Sequence, residues 1–250
     1  MRNLRGIYII WFRDVKRYFM DKTRTLGTLG MPLLFMLVIG FGLRPSGSGY
    51  QGVPYHIYVF PGIVAMSMLF TSTFSAISII WDREFGFLKE VLVSPISRWA
   101  IVIGKSLGGA TQGFFQGVVM LIFLSLFIRP SISIFAIIPL LITMFAIAFC
   151  LTALGIAIAA RMRSFEGFQV IMNFVVMPIF FFSGALYAIE EVPDWLQWVT
   201  RIDPLTYGVD LLRHILVGVH HYPSHWNLGI LTIFGVAILG LAVFQFRQVE

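Results

Sequence analysis

The chain has 250 residues, 58% of them hydrophobic and 12% charged, against roughly 25% charge in a soluble domain. That composition excludes a soluble globular protein and calls for a membrane as solvent. The net charge of +6 is accounted for by membrane topology and anionic headgroups, so no nucleic-acid partner is expected.

Residues 1–24 come first. Leu4, Ile7, Trp11, Val15 and Tyr18 recur at helical spacing among Arg5, Arg13, Lys16 and Arg17, which predicts an amphipathic helix lying in the membrane interface. It anchors the first span or also touches a partner on that side. No small-residue cleavage site precedes the first apolar run, so no cleavable signal is expected.

Six runs lack Asp, Glu, Lys, Arg and His: 25–43, 57–80, 106–128, 131–160, 167–189 and 226–245. Each meets the roughly 17 to 25 residues that cross a bilayer as a helix, and the fourth can tilt or kink at Pro139. Pro32 and Pro61 fall near the ends of the first two, where a lost hydrogen bond is cheaper. Six spans put both termini on one side. Of the 18 Lys and Arg, only Arg44, Arg129, Arg201 and Arg213 fall on the other side, so both termini are expected in the cytoplasm. The expected fold is an all-α membrane protein, a single transmembrane domain over 1–250.

Between the second and third runs lies a charged island, residues 81–98. In helical projection Trp81, Phe85, Leu88 and Leu92 share one face, Phe87 and Val91 another, and Asp82, Arg83, Lys89 and Glu90 point elsewhere. One face can rest on the protein and the other enter a partner's groove; a solvated connecting loop is the alternative. Gly86 is unfavourable in a helix and suggests close backbone approach. Ser94-Pro95 stops the helix, and Ser97 is placed to cap the next, with Ile96 and Ile101 as a hydrophobic staple.

The third run repeats glycine at four-residue intervals, Gly104 and Gly108, then Gly109, Gly113 and Gly117. Small residues at that spacing allow close helix packing, within the chain or across a dimer. Gly104-Lys105-Ser106 resembles the tail of a phosphate-binding loop, but the first glycine of that motif falls at Trp99, which excludes it. The link 161–166 is a second short contact on the same side as the island. In the fifth run, Phe180, Phe181 and Phe182 with Ser183 form a cluster that either lines a substrate path or packs as core.

Residues 187–225 are too apolar for a plain loop. Residues 193–199 carry Trp195, Leu196 and Trp198, while Asp203-Pro204 caps and starts a helix ending near Gly218 that aligns Leu205, Val209, Leu212 and Leu216. Two short helices dipping into the outer leaflet are expected. His214, His220, His221 and His225 lack a carboxylate or thiolate aligned to complete a zinc site, so no metal is expected. The lone Cys150 excludes an intrachain disulfide. With the apolar runs free of ionisable groups, ion coupling is not expected, and the chain has no nucleotide-binding loop. Energy is therefore expected from a partner.

Asp82-Arg83-Glu84-Phe85-Gly86-Phe87-Leu88-Lys89-Glu90, followed by Leu92-Val93-Ser94-Pro95-Ile96-Ser97-Arg98, resembles the cytoplasmic signature of ABC-2 type transporter permeases, the daunorubicin-resistance and nodulation-exporter group. Ser183-Gly184, Pro193-Asp194-Trp195, Asp203-Pro204-Leu205-Thr206-Tyr207, Asp210 and Arg213 resemble that family's C-terminal pattern. Where many relatives carry Gly-Thr-Leu-Glu, this chain has Gly86-Phe87-Leu88-Lys89-Glu90. The resemblance implies an exporter of two permease copies, a homodimer or a pair with a sister permease, and two ATP-binding subunits in the plasma membrane, in bacteria the inner membrane. ATP and Mg would be bound by the partner, with no cofactor and no catalytic residue in this chain. Residues 81–98 would be the coupling helix, with Glu84, Phe85, Gly86, Phe87, Leu88, Glu90, Val91, Ser94 and Pro95 on the ATPase. The expected cargo is amphipathic or lipid-like: a drug, glycolipid or saccharide. Two other readings stand beside it: a membrane-embedded enzyme using Asp203, Asp210 and residues 220–225 on a lipid-linked substrate, and a passive channel.

Overall fold

A computed structural model of the chain describes residues 2–42, 50–86, 96–128, 133–162 and 164–247. Among these residues the fold is helical, with a single isolated bridge, Tyr50 to Val53, as its β structure. Five helices are long and apolar enough to cross a membrane: Tyr55–Glu84, Arg98–Leu126, Ile134–Ala159, Phe165–Phe182 and Ser224–Phe246. A sixth apolar helix, Gly27–Gly40, is shorter.

The bundle is built around α3 (Tyr55–Ser75), which continues after a break at Ala76 as α4 (Ile77–Glu84). Val59, Phe60, Ile63, Val64, Met66, Met68 and Leu69 are fully buried, as a helix apolar on every side must be. Around α3 pack α5 (Arg98–Ile128), α6 (Ile137–Ala159), α9 (Pro204–Val217), α2 (Lys22–Phe35) and α7 (Phe165–Phe182). The last helix, α10 (Ser224–Arg247), lies on α6 and α9. Helix α8 (Asp194–Ile202) lies at the margin of this core, with Trp195, Trp198 and Ile202 exposed.

Several local expectations are altered. Pro139 sits in the first turn of α6, after a 3-10 turn at Ile134–Ala136, where its missing N–H costs no helical bond; it starts the helix and does not kink it. Helix α7 ends at Phe182, short of the apolar run's end at 189, because the chain turns at Ser183 and Gly184. Past Pro32, α2 widens at Met36–Gly42 into a π-helix.

Helix α1 (Arg2–Met20) packs lengthwise on α5. It follows α5 in the same direction. Its Gly6 meets Ile96, Ile10 meets Gly104, Trp11 donates to Thr111 at 3.0 Å and Tyr18 donates to Gln116 at 2.9 Å. The buried stripe is Gly6, Ile10, Asp14 and Tyr18, whereas Leu4 is exposed. Of the expected stripe Tyr18 is buried and Ile7, Trp11 and Val15 are partly buried, so the inward face is turned slightly from the one that spacing predicts, and polar rungs from Trp11 and Tyr18 hold it.

Candidate functional site

The island begins as the end of α4. Trp81, Asp82, Arg83 and Glu84 complete that helix, Phe85 is 79% exposed, and Gly86 takes a φ of 77°. The single helix expected across 81–98 is therefore broken here. Among the described residues no atom lies within 4 Å of where a Cβ on Gly86 would sit, so no close approach by them explains this glycine. The left-handed backbone does. Phe87, Leu88, Glu90, Val91, Ser94 and Pro95 lie outside the described residues. On the far side, the N–H of Ser97 donates to Asn3 Oδ1 at 3.2 Å and Ile96 packs on Gly6. The Ser97 carbonyl accepts the first bonds of α5, but its buried hydroxyl has no partner among the described residues; Ser97 occupies the cap position without capping through its side chain.

Below these ends lies a buried charge cluster. Lys105 Nζ donates to Asp82 at 2.7 Å, to Asp14 at 3.1 Å and to Ser78 at 3.0 Å. Arg13 reaches the same carboxylates, at 2.6 Å to Asp82 and 3.0 Å to Asp14. The side chains of Lys105, Asp14 and Asp82 are 4%, 4% and 8% exposed. Two cations and two anions balance, which is what makes such burial tolerable. The cluster joins α1, α4 and α5. Sequence reading missed it because the third apolar run starts at Ser106, so Lys105 is read as a loop cation when it lies two turns inside α5.

Two further contacts tie the same segment to the 161–166 link. Arg83 donates to the carbonyls of Met162 and Ala160, the latter at 3.0 Å, occupying acceptors left open at the end of α6. Trp81 stacks on Phe165 with ring centres 6.3 Å apart, and the Arg17 guanidinium lies over Trp81 at 4.6 Å. Residues 78–83 thus contact α1, α5, the end of α6 and the start of α7.

The glycines of α5 face neighbours in the same chain. A Cβ on Gly104 would meet Ile10 at 3.0 Å and one on Gly108 would meet Asp14 at 3.1 Å. On Gly109 it would meet Ser75 Oγ at 2.1 Å, on Gly113 Ser72 Oγ at 1.8 Å, and on Gly117 Met68 at 2.6 Å. The aromatic cluster divides: Phe180 is buried against Phe35, Phe181 is 46% exposed, Phe182 is intermediate, and Ser183 is buried with its Oγ donating to the Phe180 carbonyl. These four do not share one surface.

At the opposite end, Asp203 caps α9 by accepting from the N–H of Leu205 at 2.9 Å, Pro204 opens the helix, and Gly218 closes it with a φ of 84°. Leu205, Val209, Leu212 and Leu216 are all buried. Burial pushes the Asp203 carboxyl up to about 8, the Leu205 N–H offsetting only part of it. Asp210 accepts from the N–H groups of His221 and Tyr222 and from Asn227 Nδ2, at 2.8, 2.9 and 2.7 Å. Arg213 donates to the carbonyls of Gly184 and Tyr58 and lies 3.9 Å over the Tyr58 ring. These charges hold loops together, and burial lowers the Arg213 pKa despite nearby Tyr58 and Asp210. His214 and His220 face each other at 3.1 Å, and His221 contacts Glu190. Among the described residues, no three of His, Cys, Asp and Glu are placed to hold a metal.

Known proteins place this architecture. The ABC-2 type transporter family model matches residues 5–217. The chain is 23% identical over 230 residues to the inner membrane transport permease YadH of Escherichia coli K12, covering 91% of this chain and 89% of that one. It is 27% identical over 226 residues to nodulation protein J of Rhizobium meliloti, 89% and 85% of the two chains. It is also 28% identical over 209 residues to the putative transport permease ycf38 of Cyanophora paradoxa, 80% and 72%. A match of that length on a bundle of apolar helices assigns the chain to the ABC-2 type transporter family, as a multi-pass transport permease.

Proposed function

We propose that this chain is the transmembrane permease subunit of an ATP-driven exporter, moving an amphipathic or lipid-like substrate outward under the action of a separate ATP-binding subunit. The observation that carries the reading is the family match over residues 5–217. In it, both termini and residues 81–98 face the cytoplasm of a bacterial inner-membrane protein, and α8 and α9 dip into the outer leaflet. Two permease copies and two ATPases form the transporter, and ATP and Mg stay on the partner.

Residues 81–98 are the coupling segment in this reading. Glu84 and Phe85, with the half-buried Gly86 after them, present an exposed edge whose base is clamped by Asp82 and Arg83. Phe87, Leu88, Glu90, Val91, Ser94 and Pro95 complete the contact. A phenylalanine 79% exposed beside a clamped helix end suits a partner's groove. The test is mild-detergent purification of the tagged chain from its native membrane, with mass identification of what accompanies it. An ATP-binding protein in equal copy number is the expected companion, and Phe85→Ala should reduce its yield without lowering the melting temperature of the isolated chain. Repeated isolation of the wild-type chain alone, while related exporters survive the same handling, would overturn the reading.

A further inference from the structure

A basic cavity lies beside the buried charge cluster. It encloses about 620 Å³ and is lined by Arg13, Lys16, Arg17, Met20, Asp21 and Trp81. Three cations against one carboxylate face it. Arg13 is already engaged by Asp14 and Asp82, whereas Lys16 and Arg17 have no ion-pair or hydrogen-bond partner for their side chains among the described residues. Arg17 is held against the Trp81 ring at 4.6 Å, so one guanidinium is positioned before any ligand arrives.

The surroundings identify the ligand's other half. On the same helix Ile9, Phe12, Phe19 and Met20 are 62%, 50%, 46% and 73% exposed, an apolar face that water does not solvate cheaply. The basic cavity borders that face. We propose that it binds the phosphate headgroup of an anionic glycerophospholipid, with Lys16 and Arg17 on the phosphate oxygens and the acyl chains along the exposed side of α1. The assignment rests on the reading that this end of the bundle is cytoplasmic, where anionic headgroups meet juxtamembrane cations. It places a lipid against Trp81, at the root of the coupling segment, so that lipid charge would bear on coupling.

The test is native mass spectrometry of the purified chain after exchange into mixed micelles holding dioleoyl-phosphatidylglycerol or dioleoyl-phosphatidylcholine. Wild type should retain phosphatidylglycerol preferentially, and Lys16→Gln with Arg17→Gln should weaken that retention by roughly fivefold per cation removed. No preference for phosphatidylglycerol, or equal retention by wild type and the double variant, overturns the proposal. Displacement by sn-glycerol 3-phosphate at the same concentration overturns the lipid in favour of a soluble phosphate ester. Loss of ATPase co-purification in the double variant with lipid retention unchanged assigns the cavity to the protein interface and also overturns it. Since Cys150 is buried, Lys16→Cys offers a distinct check on sidedness. Labelling of intact cells by an impermeant maleimide overturns the cytoplasmic reading, whatever the micelle result, and protection supports it.

Discussion

Replacing Lys105 by Met keeps side-chain length and removes the ammonium from a cluster whose charges sum to zero. Asp14 and Asp82, at 4% and 8% exposed, are left with Arg13 as their shared cation, and the buried region carries a net negative charge. Breaking a buried ion pair from one side costs about 3–5 kcal/mol. Arg13 still contacts both carboxylates at 3.0 and 2.6 Å, which puts the cost near the lower end, about 3 kcal/mol. For a chain of this size that corresponds to a fall in Tm of about 6–12 °C, measured by tryptophan fluorescence during thermal melting in detergent. Asp82→Asn should be destabilising for the opposite reason, an excess of positive charge. The double variant restores neutrality, so its loss should be smaller than the sum of the single losses by more than about 1 kcal/mol. Additive losses, or a Lys105→Met protein melting with the wild type, would refute the electrostatic account and leave the cluster as mere packing.

Gly113→Leu should lower Tm by several degrees because even its Cβ would overlap Ser72 Oγ, whereas Gly240→Ala, with nothing within 4 Å, should be neutral or stabilising by up to about 1 kcal/mol. Asp210→Ala leaves the N–H groups of His221, Tyr222 and Asn227 without their acceptor; a loss of about 3 kcal/mol is expected, read as lower Tm and faster proteolysis at residues 218–223. Asp203 is protonated more readily folded than unfolded, so between about pH 4 and its folded value of about 8 the native state holds the extra proton and stability falls as pH rises. Asp203→Asn, which can still cap α9, should flatten that decline; melts at pH 5 and pH 8 with equal slopes in both proteins would contradict the burial of this group.

How much of this was legible in the sequence follows from the range of each interaction. The α9 boundaries could be read because Asp203, Pro204 and Gly218 act within a turn of themselves. The long apolar helices could be read because the bilayer's thickness is written into run length. By contrast, the Asp14, Asp82 and Lys105 cluster spans up to 91 residues in the chain, and nothing local marks Asp14 as the partner of Lys105. Dividing spans at charged residues concealed it further. On α1 the spacing found Tyr18, which is buried, and Trp11, which bonds Thr111, but not the buried Gly6, Ile10 and Asp14, because close approach to α5 favours small and polar residues that hydrophobic spacing does not register. Gly86 was read for close packing, whereas what the described residues show is its positive φ, and backbone sign cannot be seen in composition.

The placement of the cluster has a mechanical consequence under the permease reading. Force applied to residues 84–97 reaches α1 through Asn3, Ile96 and Arg13, α5 through Lys105, and the ends of α6 and α7 through Arg83 and Trp81. A neutral apolar seam at this end would let helices slide, since dispersion is non-directional; short charged bonds at 2.6–3.1 Å fix register and orientation. Helix α1 and the first half of α5 should therefore move as one body when a partner ATPase closes. Spin labels replacing the exposed Met20 and Trp99 should report one distance with and without nucleotide in the wild type, and a broadened distribution in Lys105→Met. A distance that changes with nucleotide in the wild type would show that α1 moves independently of the spans it lies against.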